Sequence, residues 1–331
     1  MSKAYRIFGS ELSPYSVKVR SYFRYKEIPH EWILRSAAVE EEFRKYAKLP
    51  LIPLVVTPEE MALQDSTPII EFMEALFPEP SIHSEDPTLA FLSALIEEFG
   101  DEWGNKWMFH YRWARPVDQE SAAERVARSM MPDADAEQLA GVSAMVRERM
   151  VDRVWFVGSS PENAPLIESS FASFLQRLDA HLDGRNYLFG DRPAFGDFGL
   201  WGQLYEADSD PTAGALIRAD APRVAAWIER MSLPRALGEF ESWETLAPTL
   251  QPILEDYVGA LFLPWSDANA RAVAEGSDEF SVHIAGHEWR QKPQKYHAKS
   301  LKVLRERHET GASTAELDAI LEEAGCKRWL A

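Results

Sequence analysis

A single cysteine, Cys326, in 331 residues excludes an internal disulfide and sets the expectation of a reducing compartment. Positive charge is also short. There are 35 basic residues against 53 acidic ones, a formal net charge of −18. A nucleic-acid or anionic-membrane surface does not suit that balance, because both need clustered positive charge. A local basic pocket for a small acidic ligand remains compatible with it. Long hydrophobic runs are missing, and stretches such as 49–56 are far too short to span a bilayer. No secretory leader is visible, since Met1-Ser-Lys leads directly into a strand pattern. Internal repeats, a Walker motif and a dinucleotide fingerprint are missing too. Apolar content is plentiful: at 46% hydrophobic over this length, the chain can bury a large core and fill more than one domain. These counts set the expectation of a soluble, cytoplasmic protein.

The stretch around which the rest is organised is residues 10–20, SELSPYSVKVR. A short apolar strand, 5–8, precedes it, and apolar residues at helical spacing follow. Proline is favoured in the first turn of a helix, where its missing N–H would be unbonded anyway. Ser13, just before Pro14, is a good N-cap. Free backbone N–H groups and the positive end of the helix dipole therefore converge beside the Ser13 hydroxyl. A thiolate placed there would be stabilised. The chain has no cysteine at that point, so any reacting thiol must come from a ligand.

The first 80 residues continue in a regular order. Residues 31–35 read as a second strand, 39–46 as a helix, and 49–56 as a strand broken by prolines. Proline is barred from central strands, so Ile52-Pro53 marks where the chain enters the sheet with its backbone exposed. Residues 61–63 supply a hairpin partner. Asp65-Ser66-Thr67-Pro68 then starts a helix that runs to about residue 76.

This β-α-β-α-β-β-α order, with Pro53 opening the third strand, resembles the thioredoxin-like domain of cytosolic glutathione transferases. Four stretches carry the resemblance: Ser13-Pro-Tyr-Ser16, Lys18-Val-Arg20, Ile52-Pro-Leu54 and Asp65-Ser-Thr-Pro-Ile-Ile70. The likeness is to serine-type, bacterial-like members, with a long C-terminal extension added. It implies that Ser13 is catalytic and that the Ile52-Pro53 backbone pairs with the cysteinyl unit of glutathione. It also implies that Asp65 and Ser66 hold the γ-glutamyl end.

Glutathione's own chemistry is compatible with that assignment. Its γ-glutamyl carboxylate suits the free N–H groups at the helix start by Ser66, and its ammonium needs an acid. Asp65 is either that acid or a cap, and spacing alone favours the cap. Ser13 is too weakly acidic to be a base, so its role would be to donate a hydrogen bond to the thiolate. The sequence also departs from the family. Leu51 stands where a lysine usually meets the glycine carboxylate, leaving Lys48 as a weak substitute, and the acid is Asp rather than the commoner Glu. Ser16, at the place of a second cysteine in a CxxC motif, reads as packing or capping.

A proline-rich connection at 77–87 marks a domain boundary, and helices follow. Phe99, Trp103, Trp107 and Tyr111 recur every four residues. With Tyr15 they would line an electrophile pocket if the family pattern holds, although such an aromatic stripe is more often core. His110 and Arg112 have no spacing to support a substrate role. Residues 119–150 form a charged, alanine-rich stretch with a break at Pro132, long for the family and able to cover the cleft. Residues 167–182 are amphipathic. Residues 190–197 resemble the family's folding motif, with Ala194 in place of its hydroxyl residue and Asp197 still able to accept the N–H of residue 194. Beyond about 242 the chain exceeds an ordinary transferase. It should form a helix at 246–274, a hairpin at 280–289 and a helix at 294–308. A last helix should open at the capping box Ser313-Thr-Ala-Glu316. His283, His287 and His297 have no ligand geometry, and no metal is expected.

The expected architecture is an α/β thioredoxin-like domain at 1–80, an all-α domain at 86–245 and an α+β extension at 246–331 packed on the helices. The expected function is a glutathione S-transferase that activates the glutathione thiolate against a small apolar electrophile, by conjugation or by ether or halide displacement. Bacterial aryl-ether-cleaving relatives also carry the SPY sequence. Without a cysteine at residue 13, thiol–disulfide exchange should be poor. The alternative is a binding or scaffolding protein that kept the fold and lost turnover. The family implies a cytoplasmic homodimer with a detoxifying role.

Overall fold

The structure is a computed structural model that describes residues 4–311 and 314–330. Its first unit is a four-stranded sheet in the order β2-β1-β3-β4, built from β1 (Tyr5–Gly9), β2 (His30–Leu34), β3 (Leu54–Val56) and β4 (Ala62–Gln64). Helices α1 (Pro14–Tyr25), α2 (Glu40–Tyr46) and α3 (Ser66–Leu76) flank it. β1 runs parallel to β2 and antiparallel to β3, and β3 runs antiparallel to β4. Side chains alternate across the sheet. Ile7 and Val55 join the main core with Val17, Ile69 and Met73, while Phe8, Leu54 and Val56 enclose Phe43 of α2. This is the thioredoxin-like unit expected. Its third strand has only three residues, because prolines at 50 and 53 withhold ladder donors from the preceding stretch.

The helical part begins with α4 (Pro87–Phe99), which passes through a π-helical stretch, Gly100–Gly104, into α5 (Asn105–Ala114). Next come α6 (Pro116–Met130), α7 (Ala136–Val151), α8 (Ala164–His181), α9 (Phe195–Asp208), α10 (Pro211–Asp220) and α11 (Pro222–Met231). α9 is buried on nearly every side and is the hub, packed between α4 and α1. Gly202 lets α9 approach α1 closely: a Cβ there would lie 2.6 Å from the Pro14 carbonyl oxygen. Asp197 accepts the Ala194 N–H at 2.9 Å, as the folding motif requires. It also takes the Leu188 N–H and the Trp227 indole, both at 2.9 Å.

The extension comprises α12 (Trp243–Ile253), a second π-helical stretch Leu254–Phe262, α13 (Leu263–Glu275), β5 (Phe280–Ile284), β6 (His287–Gln291), α14 (Lys295–Thr310), α15 (Ala315–Glu323) and α16 (Lys327–Leu330). The β5–β6 hairpin turns at Ala285 and Gly286, both at positive φ, as a two-residue turn of this hand requires. The capping reading at 313–316 shifts by one residue. Thr314 is the observed N-cap, accepting the Leu317 N–H at 3.0 Å, and Ser313 lies outside the described residues. The extension joins the core: the Phe262 ring lies 6.0 Å from Phe99, and Trp265 and Trp289 flank Trp103. No helix among the described residues is long and apolar enough to cross a membrane.

Candidate functional site

Strand register decides what meets at the sheet's edge. Phe8, near the end of β1, pairs with Leu54 at the start of β3, and Leu54 pairs in turn with Gln64 at the end of β4. The segment after β1, the segment before β3 and the segment after β4 therefore leave the sheet at the same end. Those segments carry Ser13, Ile52-Pro53 and Asp65-Ser66 respectively. The N-termini of α1 and α3 open at this end, so two positive helix ends face one corner.

Ser13 caps α1 from an extended backbone (φ −113°, ψ 112°), with Pro14 in the first turn. Its Oγ accepts the Ser16 N–H at 3.3 Å. A hydroxyl that accepts in this way keeps its own proton for donation. Ser16 is buried and contributes that backbone amide. The Ile52–Pro53 bond is cis. Gln64 holds the loop in front of it. Its side-chain oxygen takes the Lys48 and Leu49 N–H groups at 2.8 and 3.1 Å, and its NH2 donates to the Leu49 and Leu51 carbonyls at 2.9 and 3.0 Å. Leu51 is 60% exposed, an apolar side chain on the open face of that loop.

Asp65 sits at φ 81° before α3 and makes no side-chain cap bond, so the capping alternative favoured by spacing does not hold. Its Oδ2 instead accepts the Tyr296 hydroxyl of α14 at 2.6 Å. Ser66 is buried, and its Oγ accepts from Lys18 Nζ at 3.4 Å. Lys18 is wholly buried at the centre of a polar cluster. It donates to Thr67 Oγ1 at 3.1 Å and Asp101 Oδ2 at 2.6 Å, and it pairs with Glu97. Burial opposes its charge, but the Asp101 and Glu97 carboxylates outweigh burial and hold the ammonium above its ordinary pKa. Burial pushes the Asp101 carboxyl up to about 7. Sequence reasoning used Lys18 only as a family marker. The unused signal was the Glu97/Asp101 pair, two acids four residues apart on one helical face.

The other candidates are engaged inside the protein. The Tyr15 hydroxyl accepts from Asn105 Nδ2 at 2.9 Å and donates to the Asp101 carbonyl at 3.2 Å. Burial first, then the Asp101 charge, raise its pKa, so it is no source of a phenolate. Trp103, Trp107 and Tyr111 are at most 2% exposed. Trp107 packs on Phe174 and donates to Ser170 at 2.9 Å, Tyr111 packs on Phe171, and Trp103 faces the extension. These three rings are core rather than an open pocket wall. His110 bonds Ser159 and Glu168. Arg112 holds Glu206 at 2.7 Å, Asp210 at 2.8 Å and the Leu12 carbonyl at 3.2 Å. α6 and α7 pack on each other, leaving a hollow of about 500 Å³ bordered by Glu124, Arg128 and Arg147. The thiol of Cys326 is buried far along the chain, and burial pushes its pKa up to about 12.

Residues 7–81 match the family model described as "Glutathione S-transferase, N-terminal domain", and residues 124–230 match "Glutathione S-transferase, C-terminal domain". No curated protein matches the chain by sequence. Among solved structures, a glutathione S-transferase from Rhodospirillum rubrum F11 is 21% identical, over 72% of this chain and 94% of its own, at a TM-score of 0.46. One from Methylobacillus flagellatus with glutathione bound is 20% identical, over 68% and 93%, at 0.41. A beta-etherase from Sphingobium is 16% identical, over 70% and 96%, at 0.45.

Proposed function

This chain belongs to the glutathione S-transferase superfamily, and from that premise we propose that it binds glutathione at the corner formed by Ser13, Ile52-Pro53 and Asp65-Ser66. In this reading the Ile52 backbone meets the cysteinyl unit. The α3 start with Ser66 takes the γ-glutamyl carboxylate, and Asp65 takes the ammonium. Ser13 donates a hydrogen bond to the glutathione sulfur and lowers the thiol pKa below its free value, so that the thiol proton is lost to solvent. The thiolate then forms a carbon–sulfur bond with an apolar electrophile. A halide or alkoxide leaves with its electron pair, or a conjugate acceptor takes the pair and then a proton. The homodimer, the cytoplasmic setting and the detoxifying role belong to this proposal as what the superfamily implies.

The observation that carries the reading is the strand register, Phe8 to Leu54 to Gln64, which brings three distant segments to one end of the sheet. The buried Cys326 adds to it, since the chain's one thiol is too deep and too weakly acidic to react. Titration calorimetry with reduced glutathione, followed by turnover of a panel of aryl halides and aryl ethers, tests it. In Ser13→Ala, kcat should fall by about a hundredfold, the scale of one lost donor to a reacting anion, with KM for glutathione nearly unchanged. Equal turnover in the variant removes Ser13 from the chemistry. The exposed Leu51, where the family carries a cation, favours a second reading of a binding or scaffolding protein. Glutathione affinity with no turnover across the panel would select it.

A further inference from the structure

Asp65 and Tyr296 are 231 residues apart in the chain and share one hydrogen bond. Residues on both sides of the tyrosine fix where its hydroxyl lies. Just before α14, buried Asn269 clamps Gln294, accepting its N–H at 2.7 Å and donating to its carbonyl at 2.9 Å. Just after Tyr296, His297 packs on Trp265 with ring centroids 5.0 Å apart and lies against Glu102. Further along α14, Ser300 bonds Glu98 and Arg307 pairs with Glu71 of α3. Leu301 and Leu304 are buried beneath the helix. Tyr296 is 53% exposed, but the helix that carries it is anchored on both sides of it, which holds its side chain over Asp65.

Asp65 stands at positive φ, where its side chain bonds none of the α3 N–H groups. Oδ2 is taken by Tyr296, and Oδ1 has no partner among the described residues. The Asp101 carboxylate, on the adjoining π-helical stretch, is arranged similarly. Its Oδ2 holds Lys18, while Oδ1 is buried without a partner among the described residues. Lys18 is committed to Glu97 and Asp101, and no cation among the described residues pairs with Asp65, so the α3 start is short of positive charge. A cationic group of a ligand fits that shortage. Burial of the Tyr296 hydroxyl and the neighbouring Asp65 charge both raise its pKa, which keeps it a donor throughout the physiological range.

We propose that Tyr296 is a positioning residue of the glutathione site: its hydroxyl fixes the Asp65 carboxylate so that the free oxygen receives the γ-glutamyl ammonium. The extension is then part of the first-substrate site and not an appendage to it. The inference rests on the assignment of Asp65 made above, and it adds a residue from a segment that the two family models do not reach.

The test compares two ligands on two proteins. Reduced glutathione and its des-amino analogue, in which a glutaryl group replaces γ-glutamyl, are titrated into the full chain and into Tyr296→Phe. Loss of one hydrogen bond to a charged group should weaken glutathione by about tenfold. Binding of the des-amino analogue should change by less than about twofold, because it has no ammonium for Asp65 to receive. Equal weakening of both ligands would mean a general structural role and overturns the proposal, as does a variant that binds glutathione as well as or better than the parent. If the parent protein binds neither ligand, the assignment of the site itself falls. Asp65→Asn serves as the reference, and it should bind the two ligands alike.

Discussion

At the scale of single residues, the pattern of legibility follows sequence distance. Ser13, Pro53 and Asp65 announce themselves through local chain chemistry: a cap before a proline, a proline before a strand, an acid before a helix. The partners of Lys18 and Asp65 lie 79, 83 and 231 residues away, and no local pattern encodes such pairs. The aromatic series was legible as a stripe, yet the face it presents depends on where the extension lies. Glu98 shows how that cover acts. Burial, then the charge of Glu97, pushes its carboxyl up to about 8, well above the unfolded value of about 4.3. An acid raised on folding contributes stability below its unfolded pKa and loses it as pH climbs through the folded one. Chemical denaturation should therefore show stability declining from pH 5 to pH 8.5, with a shallower decline in Glu98→Gln. An identical slope in the variant would assign the effect to other buried acids.

At the scale of elements, the order and type of the first seven were readable, since each strand or helix has its own period and stop signal. The boundaries that moved were set by tertiary contacts. Residues 49–53 stay out of the sheet, where Gln64 ties the loop down with four hydrogen bonds. Two π-helical stretches interrupt what the periodicity presents as plain helix, at Gly100–Gly104 and Leu254–Phe262. The first carries Asp101 into the Lys18 cluster, so the irregular turn sits where the helical layer meets the sheet unit. The α9–α1 contact has a measurable consequence. Gly202 leaves no room for a side chain against the Pro14 carbonyl. Gly202→Ala should cost about 1–3 kcal/mol by overpacking, read as a lower denaturation midpoint. Because the strain falls on the residue after Ser13, turnover should drop more than glutathione affinity. A variant as stable and active as the parent would show that α1 can shift without consequence.

At the scale of the whole molecule, the extension was the least readable part, because no resemblance covered it and its partners lie far upstream. Its helices and hairpin were visible as periodic segments, but its place was not. In the structure it completes the core around Lys106. Its Nζ lies 3.5 Å from the centre of the Trp265 ring, with Trp103 and Trp289 beside it, and donates to the Val157 carbonyl at 3.3 Å. Removing the residues after 242 would take away Trp265 and Trp289 and uncover Trp103 and Lys106, which they now bury. Such a truncated chain should lose cooperative unfolding and bind a hydrophobic dye, while the full chain unfolds in one transition by both fluorescence and circular dichroism. Two separated transitions in the full chain would mean that the extension is an independent body.

The hydrogen bond from Tyr296 to Asp65 also bears on the order in which the protein is made. The sheet unit leaves the ribosome long before residue 296, so during synthesis its first-substrate corner is unfinished. If Tyr296 positions Asp65 as proposed, the newly made N-terminal unit should hold glutathione about tenfold more weakly than the full chain does. On that proposal full affinity for the tripeptide would come only once the helix that carries Tyr296 has been made and has packed against the sheet unit.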